Sequence, residues 1–499
     1  MIKTNFPTTS GKYNYTVSNF LNGISSGELD DGILPSSYAI SSYNFDFSGG
    51  SLKNSLGFQE CLLDLFDESV KDRISLEISS LGSIVKTYVY RNYNKQEEKR
   101  NDKLLLLTED FGLFILNLHG LNTTLSRVRN ITFTSIPSAI SYRLNGMDVL
   151  IFTSETDNMV IYDGINEPYE VLDAPKISSA DLHFERLFVT TINEKAQVLF
   201  SDDLDPTNWS IDLAEAGFIE MVDERGACNK VISFNDYLYV FRDYGISRIT
   251  AFGDQEGFSV SHLFVSSAKI FPESVCVCGD RIIFLSSSGL YSFDGFSATK
   301  ILDSISGLYA DNNQNAIGGF FEGKYYLALN LKFIKDDDFN EEGFINNALL
   351  EYDISTKKYK IIRGVDVIDI QATNVGGVEK LFLSARKSSK LKYKIVTINN
   401  SGNFLNTPIK KSWKTGFYGF GKKQKNKCLR SVSLNLIGQA NLKIVSDSGD
   451  SVILELSEGA KTYNTFIFGS KFAFEFYSDF VGEVRILHPE LTIVCGGTN

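Results

Sequence analysis

The sequence predicts an all-β protein built around a β-propeller of about six to eight blades, with seven favoured. Between residues 100 and 385, a polar turn followed by a hydrophobic burst occurs seven times. Taking one marker residue in each copy, the successive spacings are 45, 38, 51, 44, 43 and 56 residues. The markers are Lys103, Asp148, Arg186, Tyr237, Arg281, Lys324 and Lys380. A strand-rich repeat of this length is typical of a propeller with one four-stranded blade per unit.

Length and composition agree with a large β protein of more than one domain. The chain has 499 residues, of which 13% are aromatic, including 38 Phe and 23 Tyr. Aromatic and β-branched side chains favour the pleated, half-buried surfaces of sheets. We expect an irregular N-terminal segment over 1–80, the propeller over 81–400, a linker around 401–408, and a C-terminal β-sandwich of six or so short strands over 409–499.

The N-terminal segment is predicted to contain loops and one hairpin, and to serve in docking or in closing a blade. Tyr43, Phe45 and Phe47 alternate with polar residues before Gly49 and Gly50, which is a hairpin signal. The residues Cys61–Phe66 are predicted to form a short helix.

Further turns are predicted inside the propeller. Asp294-Gly295 and Asp163-Gly164 follow aromatic strand residues, and Asp and Gly tolerate the backbone angles of tight hairpins. The polar segment Lys332–Asn347 is predicted to be a blade loop extended into solvent. Both tryptophans, Trp209 and Trp413, are expected to anchor their turns by burial.

The net negative charge argues against a surface that binds nucleic acid. The net charge is −12, whereas binding to the phosphate backbone requires clustered Lys and Arg. No run of 18 apolar residues occurs, so no membrane insertion is expected, and the first residues do not resemble a secretory signal. The six cysteines are scattered, as is typical of reduced thiols in a cytosolic protein.

No catalytic or cofactor site is predicted. The segment Ser201–Trp209 loosely resembles the Asp-box turn of sialidases, but no arginine triad accompanies it. The 61 acidic residues include no pair whose spacing marks a glycosidase. The four histidines, His119, His183, His262 and His488, are too far apart in sequence for a metal-ligand motif. We therefore expect a non-enzymatic protein.

One basic cluster stands out near the predicted C-terminal domain. It consists of Lys422, Lys423, Lys425 and Lys427. A solvated turn between strands explains it most simply. The alternative is a docking patch for an acidic partner, which salt would weaken.

Three motifs, in order along the chain, carry a resemblance to a known family. The first includes Asn44, Asp46, Gly49, Gly50 and Gly57; the second includes Ser201, Asp205, Pro206 and Trp209; the third includes Trp413 and Gly416. Together they resemble the β-propeller tail-nozzle, or DNA-stabilization, proteins of short-tailed bacteriophages. All of these residues, together with Asp294 and Gly295, are interpreted as structural turns.

The resemblance implies a structural virion protein of the phage tail or neck, made in the host bacterial cytoplasm. Several copies would form a ring, with a hexamer as the expected state, that extends the DNA channel and helps retain and eject the genome. Its partners would be further copies, other tail or neck proteins, and genomic DNA that passes without specific binding. Two alternatives stay open: a receptor- or glycan-binding tail propeller, and a carbohydrate-active propeller enzyme.

Overall fold

The computed structural model describes most of the chain, including all strands of the propeller. The described residues are 12–16, 20, 23–24, 39–60, 68–95, 98–100, 102–117, 123–212, 215–333, 339–375, 377–420 and 426–495. The predicted helix over Cys61–Phe66 lies outside them. The first elements are β1 (Lys12–Thr16), β2 (Ser41–Tyr43), β3 (Phe45–Asp46), β4 (Leu52–Asn54), β5 (Gly57–Glu60) and the helix α1 (Glu68–Ser80).

Seven blades follow, six of them four-stranded antiparallel sheets and the seventh part of a six-stranded sheet, and the first three run from residue 84 to residue 220. Blade 1 contains β6 (Ile84–Tyr90), β9 (Lys103–Thr108), β10 (Leu113–Asn117) and β11 (Leu125–Arg127), with the small hairpin β7 (Tyr93–Asn94) and β8 (Lys99–Arg100) inserted after β6. Blade 2 contains β12 (Ser138–Leu144), β13 (Met147–Thr153), β14 (Met159–Tyr162) and β15 (Tyr169–Val171). Blade 3 contains β16 (Ile177–His183), β17 (Arg186–Thr191), β18 (Gln197–Phe200) and β19 (Gly217–Glu220).

The next three blades have the same antiparallel order. Blade 4 contains β20 (Cys228–Phe234), β21 (Tyr237–Arg242), β22 (Gly245–Thr250) and β23 (Ser259–Val265). Blade 5 contains β24 (Cys276–Val277), β25 (Ile282–Ser286), β26 (Gly289–Phe293) and β27 (Ala298–Ile301). Blade 6 contains β28 (Ile317–Phe321), β29 (Lys324–Leu329), β30 (Ala348–Asp353) and β31 (Tyr359–Arg363). Short 3-10 helices occupy Gln255–Gly257, Pro272–Ser274 and Asp303–Leu308.

The predicted propeller is confirmed, and the hydrophobic bursts are its second strands. Six of the seven marker residues lie in the second strand of a blade, and Arg281 directly precedes one. These strands are buried along most of their length, which explains their continuous apolar runs. The first strands of neighbouring blades contact one another around the axis, and the sequence pattern did not identify them.

The seventh blade is completed by a strand from the N-terminal segment. Its own strands are β32 (Asp366–Val375), β33 (Val378–Arg386) and β34 (Lys394–Asn399), and β5 pairs antiparallel with β34 as the fourth strand. The predicted linker forms the hairpin β35 (Asn403–Phe404) and β36 (Thr407–Pro408), and β35 pairs with β5. The linker assignment was therefore wrong, because the buried Phe404 packs against Phe58 of β5.

The C-terminal region joins the N-terminal strands in one sheet of nine strands. Its own strands are β37 (Lys411–Lys414), β38 (Lys427–Ser446), β39 (Ser451–Gly469), β40 (Phe472–Ser478) and β41 (Arg485–Cys495). The strands β1 and β4 pair with β41, and β2 pairs with β37. The strands are fewer and longer than the sequence indicated. One hydrophobic core continues from blades 5 and 6 into this sheet.

Two local predictions were incomplete. The helix α1 was missed; it packs Val70, Ile74 and Ile78 onto blades 1 and 7, one turn apart on one face. The described ends of the segment Lys332–Asn347 fold back onto the protein instead of extending into solvent. Glu341 forms an ion pair of 2.8 Å with the buried Arg363.

Candidate assembly interface

The first group of predicted turn residues ties the N-terminal hairpin to the propeller. The predicted hairpin forms between β3 and β4, where Phe45 pairs with Asn54. Asn44 is buried with a φ of 62°, and its side chain donates to the carbonyls of Arg363 and Lys410. Gly49 and Gly50 lie in the turn of this hairpin, and Gly50 has a φ of 81°.

Two members of that group are strand residues and not turn residues. Asp46 lies in β3, and its carboxylate accepts a hydrogen bond from the backbone N–H of Ser48 and pairs with Lys53. Gly57 begins β5, where a Cβ would lie 2.7 Å from the backbone nitrogen of Gly402. Gly57 is therefore required by the close approach of two chain segments.

The segment Ser201–Trp209 is an ordered turn between β18 and β19. The Ser201 hydroxyl is buried and accepts a hydrogen bond from the backbone N–H of Leu187. The Asp205 carboxylate accepts the Thr207 N–H at 2.9 Å, which closes a local turn. Pro206 is buried, and its carbonyl accepts the indole N–H of Trp209 at 3.1 Å. Trp209 is half-buried and bonded within this turn, so its predicted anchoring role agrees with its position.

Asp294 and Gly295 form the turn between β26 and β27. The Asp294 carboxylate accepts the backbone N–H groups of Phe296 and Ser297, which lowers its pKa. Gly295 has a φ of 97°, and a Cβ there would lie 2.9 Å from the Tyr239 hydroxyl. Asp163 and Gly164 make the equivalent turn in blade 2.

The third motif contains the largest of the fully buried side chains among the described residues. Trp413 is 1% exposed and lies in β37, so its assignment to a turn was wrong. Its ring packs edge-on against Phe20 at 4.8 Å between centroids. Gly416 follows β37 in irregular backbone, as predicted for a turn residue.

One of the four lysines of the predicted docking patch is buried. Lys427 is 1% exposed, and its Nζ donates to the backbone carbonyl of Ser470. A buried, hydrogen-bonded ammonium cannot meet a partner protein, so the assignment was wrong for this residue. Lys422, Lys423 and Lys425 lie outside the described residues.

The propeller axis is crossed by side chains of opposite charge. Lys86 of blade 1 lies 3.3 Å from Asp369 of blade 7, and Lys230 of blade 4 lies 3.3 Å from Glu273. The Lys230 ammonium lowers the pKa of Glu273, and Lys86 adds to this effect from another blade. A cavity of about 340 Å³ lies beside these pairs, lined by Tyr88, Arg91, Ser141, Asp181, Gln371 and their neighbours.

Two residues of β16, both near this axis, have pKa values that burial shifts in opposite directions. Burial raises the pKa of Asp181 to about 6 from an ordinary value of 3.8, although the N–H groups of Ser233 and Leu182 partly oppose it. Burial lowers the pKa of His183 to about 4 from 6.5. The protonated Asp181 stabilises the folded protein fully below pH 3.8, the pKa of Asp181 in the unfolded chain. This stabilisation is lost as the pH rises through about 6, its pKa in the folded protein. The stabilisation linked to His183 is present above 6.5 and is lost as pH falls.

Separating these two titrations gives a testable pH dependence. On acidification from about pH 6.5 to about pH 4.5, Asp181→Asn should lose about 2 to 3 kcal/mol of unfolding free energy, because only the His183 effect is left. His183→Asn should show the opposite slope, and the wild type should change little. Chemical denaturation at the two pH values measures all three proteins. Equal slopes in the three would contradict the assignment.

A long unpaired strand edge belongs to β39, the second strand of the hairpin of β38 and β39. These strands have 20 and 19 residues, and at about 3.3 Å per residue each spans roughly 60 Å. β39 pairs with β38 along one side, and no other described strand pairs with its other side. It contains no proline, and its charged residues Glu455, Glu458 and Lys461 lie in its middle, away from Phe466 and Phe468. The unpaired backbone groups of a long edge strand are a template for pairing with another chain.

The exposed face of β39 carries apolar side chains. Phe466 and Phe468 are 60% and 61% exposed, and Ile453 lies on the same face. Phe466 has a φ of 49° within a bulge opposite Leu429 to Ser431. A bulky residue in this region is strained, and such strain is found most often at functional sites. The sequence carried a signal for this surface, because Phe466 and Phe468 alternate with Ile467, but it did not show which side was free.

Among the described residues, no group of three or more His, Cys, Asp or Glu side chains is arranged to hold a metal ion. The described part of the chain also contains no helix with the length and hydrophobicity needed to cross a bilayer. The described cysteines Cys228, Cys276, Cys278 and Cys428 are free thiols.

Comparisons with known proteins give distant neighbours among solved structures. No family model and no curated protein matches the chain. Among solved structures, it is similar to PorZ, a bacterial surface component of the type-IX secretion system of Porphyromonas gingivalis, with 11% identity, a TM-score of 0.39, and coverage of 75% of this chain and 45% of PorZ. It is similar to the extracellular domain of a putative hybrid two-component system from B. thetaiotaomicron, with 13% identity, a TM-score of 0.40, and coverage of 77% and 48%.

A third neighbour is a single propeller domain. The Cps50 (Swd1) β-propeller domain of Myceliophteria thermophila has 10% identity and a TM-score of 0.39, with coverage of 64% of this chain and 98% of that domain. The chain thus spans under half the length of the first two neighbours and nearly all of the third. The fold class of this protein is a seven-bladed β-propeller.

Proposed function

We propose that the protein is a non-enzymatic structural subunit of a phage tail or neck. In this proposal several copies form a closed ring that extends the DNA channel, and the ring helps to retain and eject the genome. The three ordered motifs that resemble tail-nozzle proteins support it, and so does the unpaired edge of β39. The virion would then be the site of action, with other tail or neck proteins as neighbours.

The edge of β39 is the observation that carries the proposal. Folding of a single chain does not require exposed Phe466 and Phe468 on a 19-residue edge strand, and an exposed edge of this length offers unpaired backbone groups to another chain. Main-chain pairing supplies affinity in strand addition, and the flanking side chains supply specificity. A contact between this edge and a different surface of the next subunit is heterologous, and such contacts form a ring when the rotation from one subunit to the next closes.

The axis of each propeller does not serve as the DNA channel in this proposal, because charged side chains lie across it. The pairs Lys86–Asp369 and Lys230–Glu273 occupy the centre of the blades. DNA would therefore pass through the hole of the subunit ring. The net charge of −12 favours a lumen to which DNA does not adhere.

Self-association tests the proposal directly. The wild-type protein should sediment as one species larger than a dimer, whereas the double variant Phe466→Gly, Phe468→Ser should sediment as a monomer. Glycine tolerates the positive φ at position 466, so at a protein concentration low enough for both proteins to be monomeric the variant should unfold at the same or higher denaturant concentration, with a gain of up to about 1 kcal/mol.

The control is Val222→Ser, which removes an apolar side chain that is 80% exposed in the connection between blades 3 and 4. It should leave the sedimentation of the ring unchanged. A wild-type protein that stays monomeric at every concentration, or that stops at a two-fold dimer, would contradict the ring.

A further inference from the structure

A second exposed apolar surface lies at one end of blades 3, 4 and 5. In an antiparallel four-stranded blade, the turn between strands one and two and the turn between strands three and four lie at the same end. Phe184 lies in the first of these turns in blade 3, Phe252 follows β22 in blade 4, and Phe296 follows β26 in blade 5. Their rings therefore share one end of the propeller.

The three rings are solvent-exposed although they are large and apolar. Phe252 is 75% exposed and Phe296 is 69% exposed. Phe184 and Phe252 meet edge-to-face at 5.5 Å between centroids, so the surface crosses from blade 3 to blade 4. Contiguous exposed apolar groups of this kind mark interaction sites.

Carboxylates without ion-pair partners surround these rings. Glu185 adjoins Phe184, Asp236 lies in the first turn of blade 4, and Asp254 follows Phe252 by two residues; all three are exposed. Within the described part of the chain none of them forms a salt bridge. Two arginines at this end are engaged in ion pairs: Arg186 pairs with Glu215, and Arg281 pairs with Asp280. Arg248 stacks on aromatic rings of this surface, and the three carboxylates outnumber its single positive charge.

The protein itself shows what this surface can hold. The guanidinium carbon of Arg248 lies 4.3 Å from the ring centroid of Tyr237 and 5.7 Å from that of Phe296. An arginine thus already stacks on one of the three exposed rings. Guanidinium groups bind both aromatic faces and carboxylates, whereas an ammonium has no planar group to stack.

We propose that the surface formed by Phe184, Phe252, Phe296, Glu185, Asp236 and Asp254 binds an arginine-rich segment of a partner protein. The phenyl rings stack on guanidinium planes, and the carboxylates supply the opposite charge. The same negative charge repels nucleic acid, so the occupant is a protein. This inference does not depend on the proposed ring, because β39 lies in the C-terminal sheet.

Fluorescence anisotropy with a labelled arginine-rich peptide tests the proposal, with a lysine-rich peptide of equal length and charge for comparison. At low ionic strength the arginine peptide should bind saturably, at least about threefold more tightly than the lysine peptide. The double variant Phe184→Ser, Phe252→Ser should weaken binding about fivefold or more. Added salt should weaken binding to the wild type.

The control Val222→Ser lies at the opposite end of the blades and should bind the arginine peptide as the wild type does. Unchanged unfolding midpoints would show that the variants are folded. The proposal is overturned if the arginine peptide does not saturate, if the ring variant binds it normally, if Val222→Ser weakens binding equally, or if the lysine peptide binds as well as the arginine peptide.

Discussion

Phe58→Ala is expected to lower the free energy of unfolding by about 3–5 kcal/mol and to loosen the seventh blade before the others. Phe58 is fully buried on β5, where it packs among Leu383, Val396 and Phe404. Removing the ring leaves a cavity at the point where the N-terminal strand closes the propeller. The loss of packing therefore weakens the hold of β5 on β34.

Amide hydrogen exchange distinguishes this local opening from general destabilisation. In the variant, protection over Lys394–Asn399 should fall more than protection over the central strands of blades 3 and 4. Leu76→Ala is the control, because Leu76 is exposed on the nearby helix α1, and it should change neither quantity. Uniform loss of protection across all blades would contradict a closing role for β5.

Trp413→Ala is the second substitution with a large expected effect, about 3–5 kcal/mol of unfolding free energy. The indole packs against Phe20 and Phe476 in the core shared by the N-terminal segment and the C-terminal sheet. Its Nε1 has no acceptor among the described residues. Trp413→Phe therefore gives up no hydrogen bond and should cost only about 1 to 2 kcal/mol.

The second tryptophan provides the matched comparison. Trp209 is half-buried and makes one hydrogen bond to Pro206, so Trp209→Ala should cost less than Trp413→Ala. Denaturant titration followed by circular dichroism measures each variant, because the chain has only two tryptophans and fluorescence would lose half its signal. Equal costs for the two alanine variants would contradict the difference in burial.

The propeller could be predicted because its second strands are covered on both sides. Strands such as Lys103–Thr108 and Tyr237–Arg242 are continuous apolar runs, and this pattern survives without knowledge of the neighbours. The first strands were missed because they are only partly buried: Ser138–Leu144 mixes polar and apolar residues. A strand whose burial depends on neighbouring blades has a weaker local signal.

Features that depend on distant or irregular pairing could not be predicted. The strand β5 has only four residues, and its partner begins more than 300 residues later. The strand β38 looked like two short strands because register shifts at Leu429/Ser431 and Leu436/Gln439 interrupt its alternation. The exposed edge of β39 is likewise a property of the assembled sheet, and a local sequence pattern does not contain it.

Closure of the last blade by β5 sets an order for folding during synthesis. β5 ends at Glu60, but β34 begins at Lys394, so a ribosome makes the partner roughly 20 to 70 s later. Until then β5 has no edge of blade 7 to pair with. The growing chain therefore presents Phe58 and its neighbours to solvent or to a chaperone. The circle of seven blades closes only late in translation.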